Sequence, residues 1–294
     1  MSMAAILAVI DGGPGSESAL ESAVQLGRAL ESRVELLHVE VDAESSLPVM
    51  GEGMSGAAVE QILQSLRAEA EARLAEARRL FEQHRTAGKL PVVEPDSAPV
   101  AGQFAVCFRH VTGREPDEVL HRARLSDLTV FGRSGQREAG QEGDGGTSVT
   151  FEAALFDSGR PVLLMPPAPV KDLGSTAAVA WDGSREAARA VHAALPILRQ
   201  AKRVVVVTAR QSEGDIEPSE LVRYLAGHGI NARTWAFTPG SGALGDEILE
   251  EAAKAEANLL VMGGYGHSRL RELVLGGVTR RILSKATIPV FMMH

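Results

Sequence analysis

Cysteine is nearly absent from this chain: Cys107 is the single one in 294 residues. One thiol makes neither a disulfide framework nor a multi-thiolate metal site, so Cys107 is expected as a small core residue in a reducing compartment. Aromatic residues make up only 4%, which argues against a base-stacking nucleic-acid platform. There is no long basic run, and the formal net charge is −8. A surface that tracks DNA or RNA phosphates is therefore not expected. No apolar run approaches the roughly 18 residues of a membrane span. The opening residues lack a basic n-region and a cleavage site. The expectation is a soluble cytoplasmic protein without a membrane partner. The zinc-protease motif H-E-x-x-H, the nucleophile elbow G-x-S-x-G and the P-loop are all missing. The eight histidines show no ligand spacing, so no metal site is expected, and no catalytic constellation is visible.

What is present is an ordinary globular composition, 45% hydrophobic, with length for two domains that each bury a core. Short apolar runs alternate with helical patterns. Ala5–Ile10 ends in Asp11-Gly12-Gly13-Pro14-Gly15, and Ser16 is placed to cap a helix to about Leu30. Val34–Val39 is a second strand. A Gly/Ser-rich loop, 42–56, follows, and then a long helix from about Ala57 to Gly88. Its stripe is Val59, Ile62, Leu63, Leu66, Ala70, Leu74, Ala77 and Phe81. Strands are expected at 105–111, 128–131 and 161–165, with helices before and after the middle one. The Pro-rich stretch 166–174 reads as a linker. The pattern then restarts: Ala177–Trp181 ends in Asp182-Gly183-Ser184, as Ile10 ends in Asp11-Gly12. A helix 185–200 contains Pro196, which should kink or end it. Strands follow at 204–207, 230–237, 259–262 and 289–293. Alternating strands and helices predict a parallel sheet in an α/β fold. The repetition predicts an internal duplication, with a first domain at 1–166, a linker at 167–175 and a second domain at 176–294.

The densest signal lies at 258–281. Leu259–Met262 is a run typical of a strand buried on both faces. Glycines stand at 263, 264 and 266, and nine residues after Gly266 the pair Gly276-Gly277 opens a helix to about Ala286. Within the nine, Leu270, Leu273 and Val274 make one apolar turn. A Gly-rich turn and a Gly-started helix both offer bare backbone N–H groups, and the helix start adds partial positive charge. Arg269, Arg271, Arg280 and Arg281 outweigh Glu272. These are the features of a polyphosphate site.

Gly263-x-x-Gly266, nine residues, then Gly276-Gly277-Val278-Thr279 resembles the nucleotide-binding signature of the universal stress proteins. Together with the duplicated pattern, the resemblance covers nearly the whole chain and looks like the tandem type. It implies two open, Rossmann-like parallel sheets in strand order 3-2-1-4-5, associated through their fifth strands as an intrachain pseudo-dimer, with a homodimer also open. In that order strands 1 and 4 are neighbours, so Asp182 and Gly263 would flank one crevice. The resemblance implies that the second domain holds ATP, or AMP or ADP, with Mg as an accompanying ion left open. Asp182 would lie at the adenosine, and Thr208 and Ala209 would wall the adenine. Gly263, Gly266, Gly276, Gly277, Val278 and Thr279 would take ribose and phosphates. Trp181, Met262 and His267 complete the implied set, His267 as a phosphate donor. The family usually has Ser or Thr where this chain has Gly277, so one hydroxyl contact worth roughly 1.5–3 kcal/mol to a charged oxygen is missing. Function would then be nucleotide-linked stress response read by an unidentified protein partner. The alternatives are a nucleotide-free scaffold of the same fold and, at most, a slow ATPase.

Three other glycine patterns compete. Gly51-x-Gly53-x-x-Gly56 sits too far past its strand to cradle a pyrophosphate. Gly240-x-Gly242-x-x-Gly245 lies between a strand and a helix, but Asp246 and Glu247 fill the first turn where a dinucleotide would need to lie. In the first half, Gly132-x-x-Gly135, nine residues, then Gly145-Gly146 keeps the count. Its spacer has no apolar face and carries Glu138, Glu142 and Asp144, so a degenerate loop is expected there.

Overall fold

The computed structural model describes residues 3–42, 56–133, 148–210, 217–264 and 277–294. The first half runs β1 (Ala5–Val9), α1 (Ser16–Leu30), β2 (Arg33–Val41), α2 (Gly56–Gly88), β3 (Ala105–Gly113), α3 (Glu115–Ala123), β4 (Leu128–Gly132), α4 (Val149–Asp157) and β5 (Val162–Met165). The second runs β6 (Thr176–Ala180), α5 (Arg185–Leu198), β7 (Arg203–Ala209), α6 (Pro218–Gly227), β8 (Ala232–Phe237), α7 (Leu244–Lys254), β9 (Leu259–Gly263), α8 (Gly277–Lys285) and β10 (Val290–Met293).

All ten strands form one sheet in the order β3-β2-β1-β4-β5-β10-β9-β6-β7-β8. Each half therefore has the 3-2-1-4-5 order. The halves join where β5 and β10 pair antiparallel, with Leu163 opposite Phe291; the remaining neighbours are parallel. Alternation along each strand sends side chains to two cores. Ile6, Ala8, Leu163, Phe291, Val179 and Val261 face α1, α2, α5 and α6. Leu7, Val9, Val290, Leu260 and Val205 face α3, α4, α7 and α8. Both faces are covered, as parallel strands with such apolar runs require. Cys107 is fully buried, and burial pushes its thiol up. No described helix is long and apolar enough to cross a membrane.

Some local expectations change. Ser16 does not cap α1: Gly15 takes the N-cap place with helical dihedrals, and the Ser16 hydroxyl turns back to donate to Asp11 Oδ1 at 2.8 Å. The loop demands this, because Asp11 must also accept from the Gly13 N–H. Pro196 lies in the last turn of α5, two residues before its end. The 33-residue α2 buries only Ala77, Leu80 and Phe81. A helix of that length spans about 50 Å, far more than a five-residue strand such as β1, so only its last third has sheet beneath it. The segment between β5 and β6 is tied down: Asn258 Nδ2 donates to the Asp172 carbonyl at 2.6 Å and to Ser175 Oγ at 3.0 Å.

Candidate functional site

In the second half, β6 and β9 are adjacent and parallel, so their carboxyl ends open at the same edge. Asp182, which follows β6, and Gly263, at the end of β9, both lie at that edge. The Trp181 N–H still donates to the Val207 carbonyl, and the chain then breaks at Gly183, whose φ is +73°. Asp182 is exposed; its Oδ1 accepts the Ser184 N–H at 3.0 Å. Ser184, not Asp182, caps α5 by accepting from the Ala187 N–H. The Asp182 carboxylate thus sits at that edge, oriented by one backbone bond. Thr208 and Ala209 end β7 beside it, half-buried.

Gly263 closes the other side. A Cβ there would lie 2.5 Å from the Ala187 nitrogen, so glycine is required for β9 to end against the first turn of α5. The Gly264 N–H is used by the Met293 carbonyl. At the start of α8, a Cβ on Gly277 would meet nothing within 4 Å among the described residues. Val278 is half-buried and Thr279 buried. Met262 is buried toward α7 and α8. Trp181 is buried in the opposite core, with Val191 and Leu221. Trp181, Met262 and Thr279 are therefore walls rather than exposed contacts. Gly266, His267 and Gly276 lie outside the described residues, as do Arg269, Arg271 and the apolar spacer.

One group at this edge was not anticipated. Glu186, in the first turn of α5, is buried yet its carboxyl lies below the usual range. Burial works against its charge, but Arg185, whose Nε donates to it at 2.5 Å, the backbone and the His294 charge prevail. Its only sequence signal was an acid at a helix start, which ordinarily marks a solvated dipole partner.

The competing loop before α7 is self-occupied. Glu247 reaches back to accept the Gly240 N–H with both oxygens, at 3.0 and 3.1 Å. Gly245 packs on α8, where a Cβ would stand 2.9 Å from the Val278 carbonyl oxygen. Asp246 is clamped by Arg281 and Lys285.

The first half has the same frame and a different tenant. Gly132 abuts Gly15 as Gly263 abuts α5. However, α2 crosses the turn after β1: a Cβ on Gly12 would collide with the Arg73 carbonyl. Glu115 at the start of α3 is pushed up, first by burial and then by the Asp11 charge, against a bond from Thr150 and the charge of Arg73. An acid pair and a crossing helix leave this crevice poorly suited to an anion. Gly135, Gly145 and Gly146 lie outside the described residues. Among the described residues, Glu17, Glu21 and His84 bring ligand atoms within 4.8 Å of one another and could hold a cation. His84 already donates from Nδ1 to the Leu80 carbonyl and meets Glu21 through Nε2 at 3.2 Å.

Comparison with known proteins gives the same picture. The universal stress protein family matches residues 3–143 and 234–294. The interval between the matched segments holds α4, β5, β6, α5, β7 and α6, and its strands belong to the same sheet. A universal stress protein from Archaeoglobus fulgidus superposes over 98% of this chain and 97% of its own, with TM-score 0.64 and 18% identity. A protein of unknown function from Pseudomonas aeruginosa superposes over 99% of this chain and 92% of its own, with TM-score 0.54 and 14% identity. At such identities these likenesses concern the fold. A universal stress protein of Synechocystis sp. is 54% identical over 33 residues, a match spanning 11% of this chain and 12% of that relative's length.

Proposed function

Because the chain belongs to the universal stress protein family, we propose that its second half, 176–294, binds an adenine nucleotide, and that the first half, 1–166, is its structural partner across the β5–β10 junction. The observation that carries this reading is the convergence at one sheet edge of Asp182, Gly263 and the start of α8 at Gly277, where no described residue would meet a Cβ. An exposed carboxylate suits ribose hydroxyls, and an open helix N-terminus suits phosphate. Thr208 and Ala209 stand where the base would lie. Gly266, Gly276 and His267 would complete the phosphate side, and Mg would accompany a triphosphate. ATP is the favoured ligand, with AMP and ADP sharing the adenosine contacts. Occupancy would change the loop 263–276, and a protein partner would read that change in the cytoplasm. The buried Thr279 and the missing hydroxyl at Gly277 favour a second reading, a scaffold without nucleotide.

The test is calorimetry with Mg·ATP on wild type and Gly277→Asp. No described residue stands within 4 Å of a Cβ at Gly277, and an acid there favours the helix while repelling phosphate. Saturable heat in wild type, and affinity at least about tenfold weaker in the variant, is the expected result. Equal affinities would remove the site, and no heat with wild type would select the scaffold.

A further inference from the structure

A groove of about 780 Å³ lies over α5 where the two halves meet. We propose that it binds an amphipathic carboxylate, an apolar chain of fatty-acid type ending in an anionic head. The inference does not rest on nucleotide binding.

The groove follows from the sheet. Because β5 and β10 run antiparallel, the amino ends of the first-half strands stand beside the carboxyl ends of the second-half strands. Met3, which precedes β1, and Pro161, which precedes β5, thus share a lining with Trp181 and Met293. The outward side of α5 carries Ala188, Ala193 and Pro196, side chains too short to fill the space. The far bank is α6, through Leu221 and Tyr224. Trp181, Val191 and Leu221 are each at most 8% exposed, so the walls are formed in advance. Tyr224 is steadied by a 3.1 Å bond between its hydroxyl and His192 Nδ1. The volume falls within the range of about 300–1,000 Å³ common for small-molecule sites, which join apolar walls to few polar groups.

Charge selects the head group. One arginine comes from each half: Arg160 and Arg189 both line the groove. Their contacts are long. Arg160 Nε donates to the Arg124 carbonyl at 3.3 Å, and its Nη1 lies 3.7 Å from Asp127. Arg189 donates to the His294 carbonyl at 3.4 Å. The acids of the lining have other partners as well. Asp127 accepts the Ala4 and Ala5 N–H groups at 2.8 and 3.1 Å, and Glu220 faces Arg223 at 3.4 Å. Guanidinium donors held this loosely beside an apolar trough match a carboxylate, which they can grip bidentately.

The chain has two tryptophans, and in Trp235→Phe the groove-lining Trp181 is the sole indole. Dodecanoate below its micelle concentration is titrated against that protein by fluorescence, and against wild type by calorimetry in case the substitution disturbs the fold. The expected result is one saturable site per chain. Affinity should fall about tenfold in each of Arg160→Gln and Arg189→Gln. Binding should be lost in Ala188→Phe, whose position is exposed and whose thermal midpoint should stay put. Dodecanol should bind at least about tenfold more weakly than dodecanoate. No saturable site, equal binding of the alcohol, or full binding by Ala188→Phe overturns the proposal. So does sedimentation showing that wild type self-associates and Ala188→Phe does not, since the groove would then belong to a second copy of this chain.

Discussion

The main-chain carbonyl of Arg73 fills the space that a Cβ on Gly12 would need, and Gly12 has φ of +76°. The long helix of the first half is thus fitted backbone to backbone onto the turn that follows the first strand.

Gly12→Ala should therefore be costly twice over. The positive φ costs about 1–2 kcal/mol for a residue with a Cβ, and the collision adds about 1–3 kcal/mol of overpacking. Gly229 has nearly the same φ, +77°, but open space around it, so Gly229→Ala should show the conformational part alone. Urea midpoints of the two variants measure the difference. Equal midpoints would mean that α2 yields without strain.

Asp246 takes two bonds from Arg281 Nε and one each from Arg281 Nη2 and Lys285. Its carboxyl is lowered from 3.8 to about 2, chiefly by the Arg281 bonds. A depressed folded value favours the fold above the unfolded value and loses that contribution as pH falls from about 4 toward about 2. Carbon-detected NMR titration should find Asp246 still ionised at a pH where ordinary aspartates are half-protonated. Arg281→Ala should return it toward the ordinary range.

His38 is buried, with Nδ1 donating to the Ile10 carbonyl at 2.7 Å. Burial lowers its pKa from 6.5 against that bond, the neighbouring His110 lowers it further, and Asp11 and Glu40 pull the other way. Below the unfolded value near 6.5 the unfolded chain binds the extra proton, so stability is complete above that pH and declines as pH falls toward the folded value. Urea midpoints should drop between about pH 7.5 and pH 5.5. His38→Gln should flatten the drop, whatever it does to the midpoint itself.

Among the described residues nothing lies within 4 Å of a Cβ at Gly277, so Gly277→Ser should fold as well as wild type. Serine there restores the hydroxyl that the family usually carries at this place. If the second half holds nucleotide, ATP affinity should rise about tenfold, the value of one bond to a charged oxygen. Unchanged affinity measured by calorimetry would show that phosphate does not reach this helix start.

The strands and their turns were readable because each half repeats a short apolar run ending in Asp-Gly or Gly and a helical stripe. At Gly263 the spacing pointed to bare amides; the fold adds a steric reason that the spacing did not show, because the missing Cβ lets β9 seat on Ala187. Ser16 misled because a serine ahead of a helix normally caps it, and only the position of Asp11 shows why its hydroxyl turns away.

By itself, then, the amino-acid order determined the alternation of strands and helices and the duplication. Those properties depend on neighbours a few residues apart. The tertiary structure alone decided that α2 lies over Gly12 and that Arg160 and Arg189 line one groove. Such contacts join residues distant in the chain, and an amphipathic pattern states that a face must be covered without stating by what.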